Sequence, residues 1–113
     1  MMDIGTLTMN PALDVACQVD RVRHTRKLRA RGERCDPGGG GINVARVFVR
    51  FGGNARCYYL SGGATGVALN GLLDLHQLVR TAIPIGGSTR VSTTIFEAST
   101  AREYRFVPQG PEI

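Results

Sequence analysis

The sequence predicts an α/β fold in which a sheet–helix body carries a small projecting antiparallel β lid. Between about residues 41 and 86, segments typical of strands and helices alternate, as in a parallel sheet whose faces are covered by helices. Two pairs of segments with alternating apolar and polar residues, at about 13–35 and 89–108, interrupt this order. Half-polar strands do not suit the middle of a parallel sheet, so we expect them to form a separate lid.

The body is expected to comprise residues 3–9 and 41–86. Its first strand is short and apolar and stops before Pro11, and its first helix stops at a pair of glycines, a common C-terminal signal. The second helix is expected to bury Val67, Ala68, Leu69, Leu72, Leu73 and Leu75. In order, we expect a strand at 4–9, a helix from 42 to Gly52–Gly53, a strand at 55–60, a helix at 65–77 and a short strand at 78–85.

The lid is expected to contain two strand pairs. From Leu13 to Val19 every second residue is apolar, which places Asp14 on the polar side of a half-buried strand. A second strand is predicted around 27–31, leading into a run of glycines. Two further alternating segments at 91–97 and 102–107 are separated by four small or polar residues, which predicts a β-hairpin.

Four glycines, Gly38 to Gly41, lead directly into the first helix. Glycines allow a ligand to approach the backbone, and the free N–H groups at the start of the helix attract anions or hydroxyl-rich ligands. Asn43 adds an amide that can donate and accept hydrogen bonds. The alternative interpretation is a flexible linker. The run is not a phosphate-binding Walker loop, because no Gly-Lys-Ser/Thr follows, and it breaks the dinucleotide pattern Gly-x-Gly-x-x-Gly.

Composition limits the classes of partner. The 113 residues have room for one domain at most, and half of the Lys and Arg side chains lie between Arg21 and Arg34. No aromatic residue interleaves this cluster, so a stacked nucleic acid is not expected. Three cysteines without metal-ligand spacing indicate reduced thiols and a cytoplasmic protein. The first five residues do not resemble a signal peptide, and no apolar run is long enough to span a membrane.

Three charged side chains are candidates for binding a ligand that carries hydroxyl and phosphate groups. The carboxylate of Asp14 can accept hydrogen bonds from two adjacent hydroxyls, although a solvated lid carboxylate is the simpler alternative. Arg90 and Arg105 lie on the two strands of the predicted hairpin, where their guanidinium groups could approach each other and hold one phosphoryl group. The alternative for this pair is two scattered surface arginines.

Several blocks of the sequence resemble the ribokinase-like (PfkB) sugar kinase family in order and spacing. The blocks cover nearly the whole chain and are Thr6–Thr8, Asn10–Asp14, Gly38–Arg46, Gly62–Gly66 and Tyr104–Val107. Family members are longer, so the resemblance is to an N-terminal portion. It implies a β lid over the sugar site, dimerisation through that lid, and ATP with Mg²⁺ as the phosphoryl donor.

The resemblance also implies roles for particular residues. Asp14, Gly39, Gly40 and Asn43 would bind the sugar hydroxyls, and Arg90 with Arg105 would bind its phosphate. Lys27, the only lysine, would reach the nucleotide of the neighbouring subunit. Branches of the family that act on fructose 1-phosphate or tagatose 6-phosphate usually have a lysine at Gly40. The glycine here, together with Arg105, is more similar to the branch that acts on fructose 6-phosphate.

The family's catalytic base lies in a Gly-x-Gly-Asp segment that this chain does not contain. The resemblance therefore implies the sugar-binding and lid part of an ATP-dependent kinase for fructose 6-phosphate, and the 113-residue chain alone is expected to be inactive. Two alternatives stay open. One is a kinase for fructose 1-phosphate, tagatose 6-phosphate or another ketose, and the other is a non-catalytic fragment that binds sugar phosphate or only dimerises.

Overall fold

The computed structural model describes residues 3–113. Residues 1 and 2, which belong to the segment compared with signal peptides, lie outside the described residues. The predicted α/β fold is confirmed. In chain order the elements are β1 (Asp3–Thr8), β2 (Ala12–Val19), β3 (Arg31–Gly38), α1 (Gly40–Arg50), β4 (Asn54–Ser61), α2 (Gly63–Leu75), β5 (Val79–Pro84), β6 (Arg90–Glu97) and β7 (Arg102–Phe106).

Three parallel strands form the sheet of the body, in the order β1-β4-β5. The central strand β4 alternates as far as Tyr59: Ala55, Cys57 and Tyr59 are buried, and the residues between them are exposed. Its last two residues, Leu60 and Ser61, are buried as well. The buried side packs on α1 and α2 through residues such as Ile42 and Leu69, which are fully buried. This one-sided core holds the N-terminal end of α1 in a fixed position beside the lid.

The lid is a four-stranded sheet in the order β3-β2-β6-β7, and it is mixed rather than wholly antiparallel. The β2–β3 and β6–β7 pairs are antiparallel, but the central β2–β6 pair is parallel, with Ala12 opposite Arg90. The reason is that β2 and β6 both leave the body at their first residues and run outward together. Two antiparallel pairs are present, as expected, and the parallel contact joins them.

The second lid strand does not lie at 27–31, so that prediction is wrong. It begins at Arg31 and ends at Gly38, and residues 20–30 form an exposed loop. Lys27 to Arg31 offers only two apolar side chains, which have no packed surface to cover. Pro37 is tolerated in β3 because this strand pairs with β2 alone, and an edge position does not require the missing N–H.

The second helix buries a narrower face than the sequence indicated. Gly66, Leu69 and Leu73 are buried, whereas Val67 and Leu75 are 71% and 78% exposed. These buried residues are spaced three and four apart and form one stripe, because the helix contacts the body along a single line. The first helix starts at Gly40, two residues earlier than predicted.

The segment between β5 and β6 is docked on the start of α2. Thr89 is buried, its N–H donates to the Gly62 carbonyl at 3.0 Å, and its carbonyl accepts the Thr65 hydroxyl at 2.6 Å. The Gly62 N–H donates to the Thr89 hydroxyl at 3.2 Å. The body thereby fixes the point at which β6, and with it Arg90, enters the lid.

This docking can be tested by adding one methyl group. A Cβ at position 62 would lie 1.9 Å from the Gly87 carbonyl oxygen and 2.8 Å from that of Ile85, so Gly62→Ala forces backbone to move. We expect it to lower the free energy of unfolding by about 1–3 kcal/mol. Gly71→Ala, at an exposed helical position with open space around it, should raise it by about 0.5–1 kcal/mol. Urea unfolding measures both, and equal stability of the two variants would contradict the docked geometry.

Candidate functional site

A cavity of about 690 Å³ lies between one face of the lid and the N-terminal end of α1. The lid contributes mainly alternate residues of each strand, as expected when one face of a sheet lines a space. Its lining is mostly polar and charged. The polar and charged side chains are Asp14, Arg34, Asp36, Asn43, Arg46, Arg90, Ser92, Thr94, Glu103 and Arg105.

Five of the six residues predicted to bind the sugar phosphate line this cavity: Asp14, Gly39, Asn43, Arg90 and Arg105. Gly40, the first residue of α1, is exposed and is not among the lining residues. Lys27 lies in the loop 20–30 and lines a separate space of about 310 Å³. The structure therefore brings five candidates together, and their binding roles remain predictions.

Asp14 occupies the middle of the cavity face. It pairs with Asp36 on β3 and with Ser92 on β6, and no side chain or backbone group in residues 3–113 hydrogen-bonds to its carboxylate. Gly38 makes room for it, because a Cβ there would lie 2.3 Å from Asp14 Oδ2. This glycine accommodates a carboxylate of the protein, a role that the sequence did not indicate. The carboxylate is left open to accept hydrogen bonds from a ligand.

Partial burial raises the pKa of the Asp14 carboxyl above its ordinary value of 3.8. Arg90 offsets this rise, the neighbouring charge of Asp36 adds to it, and Arg105 lowers the pKa slightly. The charged form of Asp14 is therefore less stable in the folded chain than in water. A ligand that donated hydroxyl groups to this carboxylate would replace the hydration it has lost.

The N-terminal end of α1 faces the same cavity without a side-chain cap. Gly39 precedes the helix with φ 129°, a conformation that favours glycine, and its carbonyl accepts the Asn43 N–H at 2.9 Å. No acidic residue occupies the first turn. The Asn43 side chain is exposed and has no partner within the described part of the chain. Free N–H groups, a positive helix end and an amide thus meet at one point.

Arg90 is held firmly by the backbone around it. Its Nη1 donates to the Pro108 carbonyl at 3.1 Å and its Nη2 to the Asn10 carbonyl at 2.9 Å. Its Nε is buried, with no partner among residues 3–113. Arg90 therefore joins the segment before β2 to the segment after β7, and presents a positive charge at the start of the cavity face.

Arg105 is placed differently from the sequence prediction. The register of the hairpin sets it opposite Thr94, four residues along β6 from Arg90, so the two arginines are not neighbours across the hairpin. That offset corresponds to about 13 Å of strand. Both side chains nevertheless lie on the cavity face. Arg105 is 69% exposed, and its closest acidic partner is Glu103, with 3.7 Å between Nε and Oε1.

Sequence reasoning missed several residues of the cavity, chiefly Arg34, Asp36 and Arg46. Two signals could have found them. Asp36 and Arg34 follow the same alternation on β3 that Asp14 follows on β2, and Arg46 is one helical turn beyond Asn43. Arg50, a further turn along, lies outside the cavity.

The described residues contain neither a metal cluster nor a membrane-spanning helix. Within residues 3–113, no group of three or more His, Cys, Asp or Glu side chains is arranged to hold a metal ion. None of the helices that the structure describes is long and apolar enough to cross a membrane. All three cysteines are free thiols.

Comparison with known proteins gives consistent relatives, although no family model matches the chain. It is 50% identical over 110 residues to the ATP-dependent 6-phosphofructokinase isozyme 2 of Mycobacterium tuberculosis, covering 97% of this chain and 32% of that protein. The corresponding isozyme of Escherichia coli is 36% identical and is covered to 36%. The chain thus spans about a third of the length of these relatives.

Solved structures agree with these relatives. The E. coli phosphofructokinase-2 in complex with fructose 6-phosphate matches with a TM-score of 0.88, over 97% of this chain and 36% of that chain. Another structure of the same E. coli protein is a tetrameric inhibited form. An Agrobacterium tumefaciens protein assigned to the ribokinases, 19% identical, has a TM-score of 0.75 over 92% of this chain and 35% of that chain, which shows a shared fold alone.

The raised pKa of Asp14 predicts a pH-dependent effect of removing its charge. The folded chain binds the proton of the Asp14 carboxyl more tightly than the unfolded chain does. The protonated carboxyl therefore contributes to the free energy of unfolding below pH 3.8, and this contribution is lost as the pH rises through the raised pKa. Asp14→Asn should therefore raise the unfolding temperature near neutral pH and change it little well below 3.8. Thermal unfolding at both pH values tests this, with Glu112→Gln, an exposed carboxylate outside the cavity, as the control. A stabilisation that is the same at both pH values would contradict it.

Proposed function

We propose, from its homology to the ribokinase-like (PfkB) carbohydrate kinases, that this chain is the sugar-binding and lid part of an ATP-dependent 6-phosphofructokinase. The whole enzyme would transfer the terminal phosphoryl group of ATP to the 1-hydroxyl of fructose 6-phosphate, giving fructose 1,6-bisphosphate and ADP. The observation that carries the proposal is one cavity in which an open carboxylate, an uncapped helix end and arginines face each other.

The carboxylate end of the cavity suits sugar hydroxyls. Asp14 is open and has two oxygens, each able to accept a hydroxyl hydrogen, and such charge-assisted bonds are stronger than neutral ones. Asn43 and the backbone at Gly39 would bind further hydroxyls. Gly40 would contribute only through its backbone N–H at the start of α1. These groups together would orient the ketose and exclude water from it.

The arginines suit the phosphate of the sugar. Arg90 is fixed by two backbone carbonyls, whereas Arg105 is exposed and only loosely paired with Glu103. A phosphate between them would be drawn by both charges, and Arg105 could move to bind it bidentately. Because β6 and β7 are both lid strands, phosphate binding would also tie the lid to the sugar.

ATP and Mg²⁺ would be bound mainly by parts of the whole enzyme other than residues 3–113. In this proposal ATP supplies the phosphoryl group, and Mg²⁺ neutralises charge on its phosphates. The described residues hold no cluster that would bind the metal. The names of the relatives support ATP as the donor. Lys27, in the exposed cationic loop, would contribute to nucleotide binding in a neighbouring subunit.

A homodimer formed through the lid is part of the proposal. The face of the lid opposite the sugar cavity has an apolar hollow of about 380 Å³, lined by residues that include Val15, Cys17 and Cys35. An apolar surface of this kind suits another copy of the lid better than water. The proposed location is the cytoplasm, in keeping with three free thiols. The exposed loop contains no Phe, Tyr or Trp between residues 20 and 31, so no nucleic-acid partner is proposed.

Two other functions stay distinguishable by experiment. The first is a kinase for fructose 1-phosphate, tagatose 6-phosphate or another ketose, because the same cavity chemistry fits any phosphorylated ketose. The second is a non-catalytic fragment that binds sugar phosphate or only dimerises, because the described residues include neither a metal cluster nor a Gly-x-Gly-Asp segment.

Turnover by a hybrid enzyme separates these functions. The chain would replace the matching segment of the M. tuberculosis relative, to which it is 50% identical. We expect the hybrid to prefer fructose 6-phosphate over fructose 1-phosphate and tagatose 6-phosphate, as judged by kcat/KM, while the 113-residue chain alone has no kinase activity. A clear preference for either other sugar would refute the assignment of fructose 6-phosphate as the substrate. Kinase-like rates from the chain alone would refute the proposal that catalysis needs the rest of the enzyme.

Two substitutions test the two ends of the cavity. Asp14→Asn should weaken the binding of fructose 6-phosphate and of fructose alike, by about ten- to a hundred-fold, because it removes a charge-assisted hydrogen bond worth roughly 1.5–3 kcal/mol. Arg105→Ala should weaken the binding of fructose 6-phosphate by a similar factor and leave the binding of fructose unchanged, because Arg105 is proposed to contact the phosphate. Titration calorimetry on the hybrid measures both. Equal losses on both sugars for Arg105→Ala, or normal binding by Asp14→Asn, would remove the site assignment.

A further inference from the structure

We propose that Arg46 binds the phosphate of the sugar and so sets the preference for phosphorylated over free ketoses. This inference rests on the proposed function and adds a residue to it. It starts from the observation that four arginines line the cavity, Arg34, Arg46, Arg90 and Arg105, and that their surroundings differ.

Arg90 has the least capacity left for a ligand. Two of its three nitrogens already donate to backbone carbonyls at 2.9 and 3.1 Å, and the third is buried. It contributes positive charge and keeps three of its five N–H groups, but a bidentate bond to a phosphate would have to form beside the two carbonyls that already hold Nη1 and Nη2. An arginine without such bonds is freer to take the bidentate geometry that binds phosphate most strongly.

Arg34 and Arg105 have the opposite weakness, because both are on edge strands of the lid. Arg34 lies on β3 and Arg105 on β7, and each of these strands has one neighbour only. Both residues are exposed, so each would lose much side-chain entropy when it became ordered on a ligand. Arg105 also has a competing carboxylate, Glu103, at 3.7 Å.

Arg46 combines a free guanidinium with a rigid support. It is half-buried in the second turn of α1, and within residues 3–113 its side chain has no hydrogen bond or ion pair. The preceding residue, Ala45, and Ile42 are fully buried in the core, so the backbone that carries Arg46 is fixed. A site on an anchored helix positions a ligand more accurately than one on an edge strand.

Its position also matches the sugar groups proposed nearby. Arg46 follows Asn43 by three residues, so the two side chains lie on one face of α1, and both line the cavity. If the amide of Asn43 binds a hydroxyl, the guanidinium one turn away is placed to bind a group at the far end of the same small ligand. A free ketose has no anion at that end.

Three variants of the 113-residue chain test this role against fructose 6-phosphate, fructose and inorganic phosphate. Arg46→Gln, which keeps most of the aliphatic stem, should weaken the binding of fructose 6-phosphate by about ten- to a hundred-fold. It should change the affinity for fructose by less than about two-fold. Arg46→Lys should restore part of the loss, because it keeps the charge without the planar fork. Arg50→Gln, on the same helical face but outside the cavity, should bind both sugars with the same affinity as the unaltered chain. Inorganic phosphate should compete with fructose 6-phosphate in the unaltered chain and compete less in Arg46→Gln.

The outcomes separate the role of Arg46 from the proposed function. Equal losses for both sugars in Arg46→Gln, an unchanged affinity for fructose 6-phosphate, or an equal loss in Arg50→Gln would overturn the role of Arg46. If fructose 6-phosphate binds and Asp14→Asn abolishes that binding while Arg46→Gln does not, the proposed function stands and this inference falls. If the unaltered chain binds neither sugar, both fall. Circular dichroism of each variant shows whether a loss of binding reflects a loss of fold.

Discussion

The parallel pairing of β2 with β6 is the contact on which the candidate site depends. It joins two antiparallel strand pairs into one sheet and sets Asp14 beside Ser92, with Arg90 at the start of the same face. The body determines where this pairing begins, because Thr89 is bound to the start of α2 and Arg90 follows it directly. Glu97 closes the other end, where its buried carboxylate accepts the Val22 N–H at 2.6 Å. The cavity is thus held from both ends of one strand pair.

The charged groups that line the cavity differ in how fully they are paired, and this difference indicates where a ligand would bind. The carboxylate of Asp14 is placed where burial opposes its ionisation, whereas Arg90 donates hydrogen bonds to two backbone carbonyls. Groups left with unsatisfied capacity tend to mark the places where a ligand completes the structure. Here those groups are a carboxylate, an uncapped helix end and exposed or unpaired guanidinium groups, which together complement a ligand with hydroxyls at one end and an anion at the other.

The sequence predicted local features well and non-local ones poorly. Alternation identified β2 and the β6–β7 hairpin, and it placed Asp14 on the polar side, because each of these signals lies within a few residues. The parallel β2–β6 contact joins segments more than seventy residues apart and leaves no local pattern. The shift of β3 from 27–31 to Arg31–Gly38 depended on which residues could pack beside Asp14, and the offset between Arg90 and Arg105 depended on register. Arg46 lies one helical turn beyond Asn43, but the cavity that both residues line appears only in three dimensions.

The most direct test of this account is a crystal structure of the hybrid enzyme with fructose 6-phosphate bound. The account predicts the ketose hydroxyls within hydrogen-bond distance of Asp14 and Asn43, with the phosphate turned toward the arginines on the lid and on α1. A sugar bound in the reverse orientation, with its phosphate at Asp14, would contradict the assignment of the two ends. A ligand bound away from the face of β2 and β6 would contradict the central claim that this strand pair forms the site.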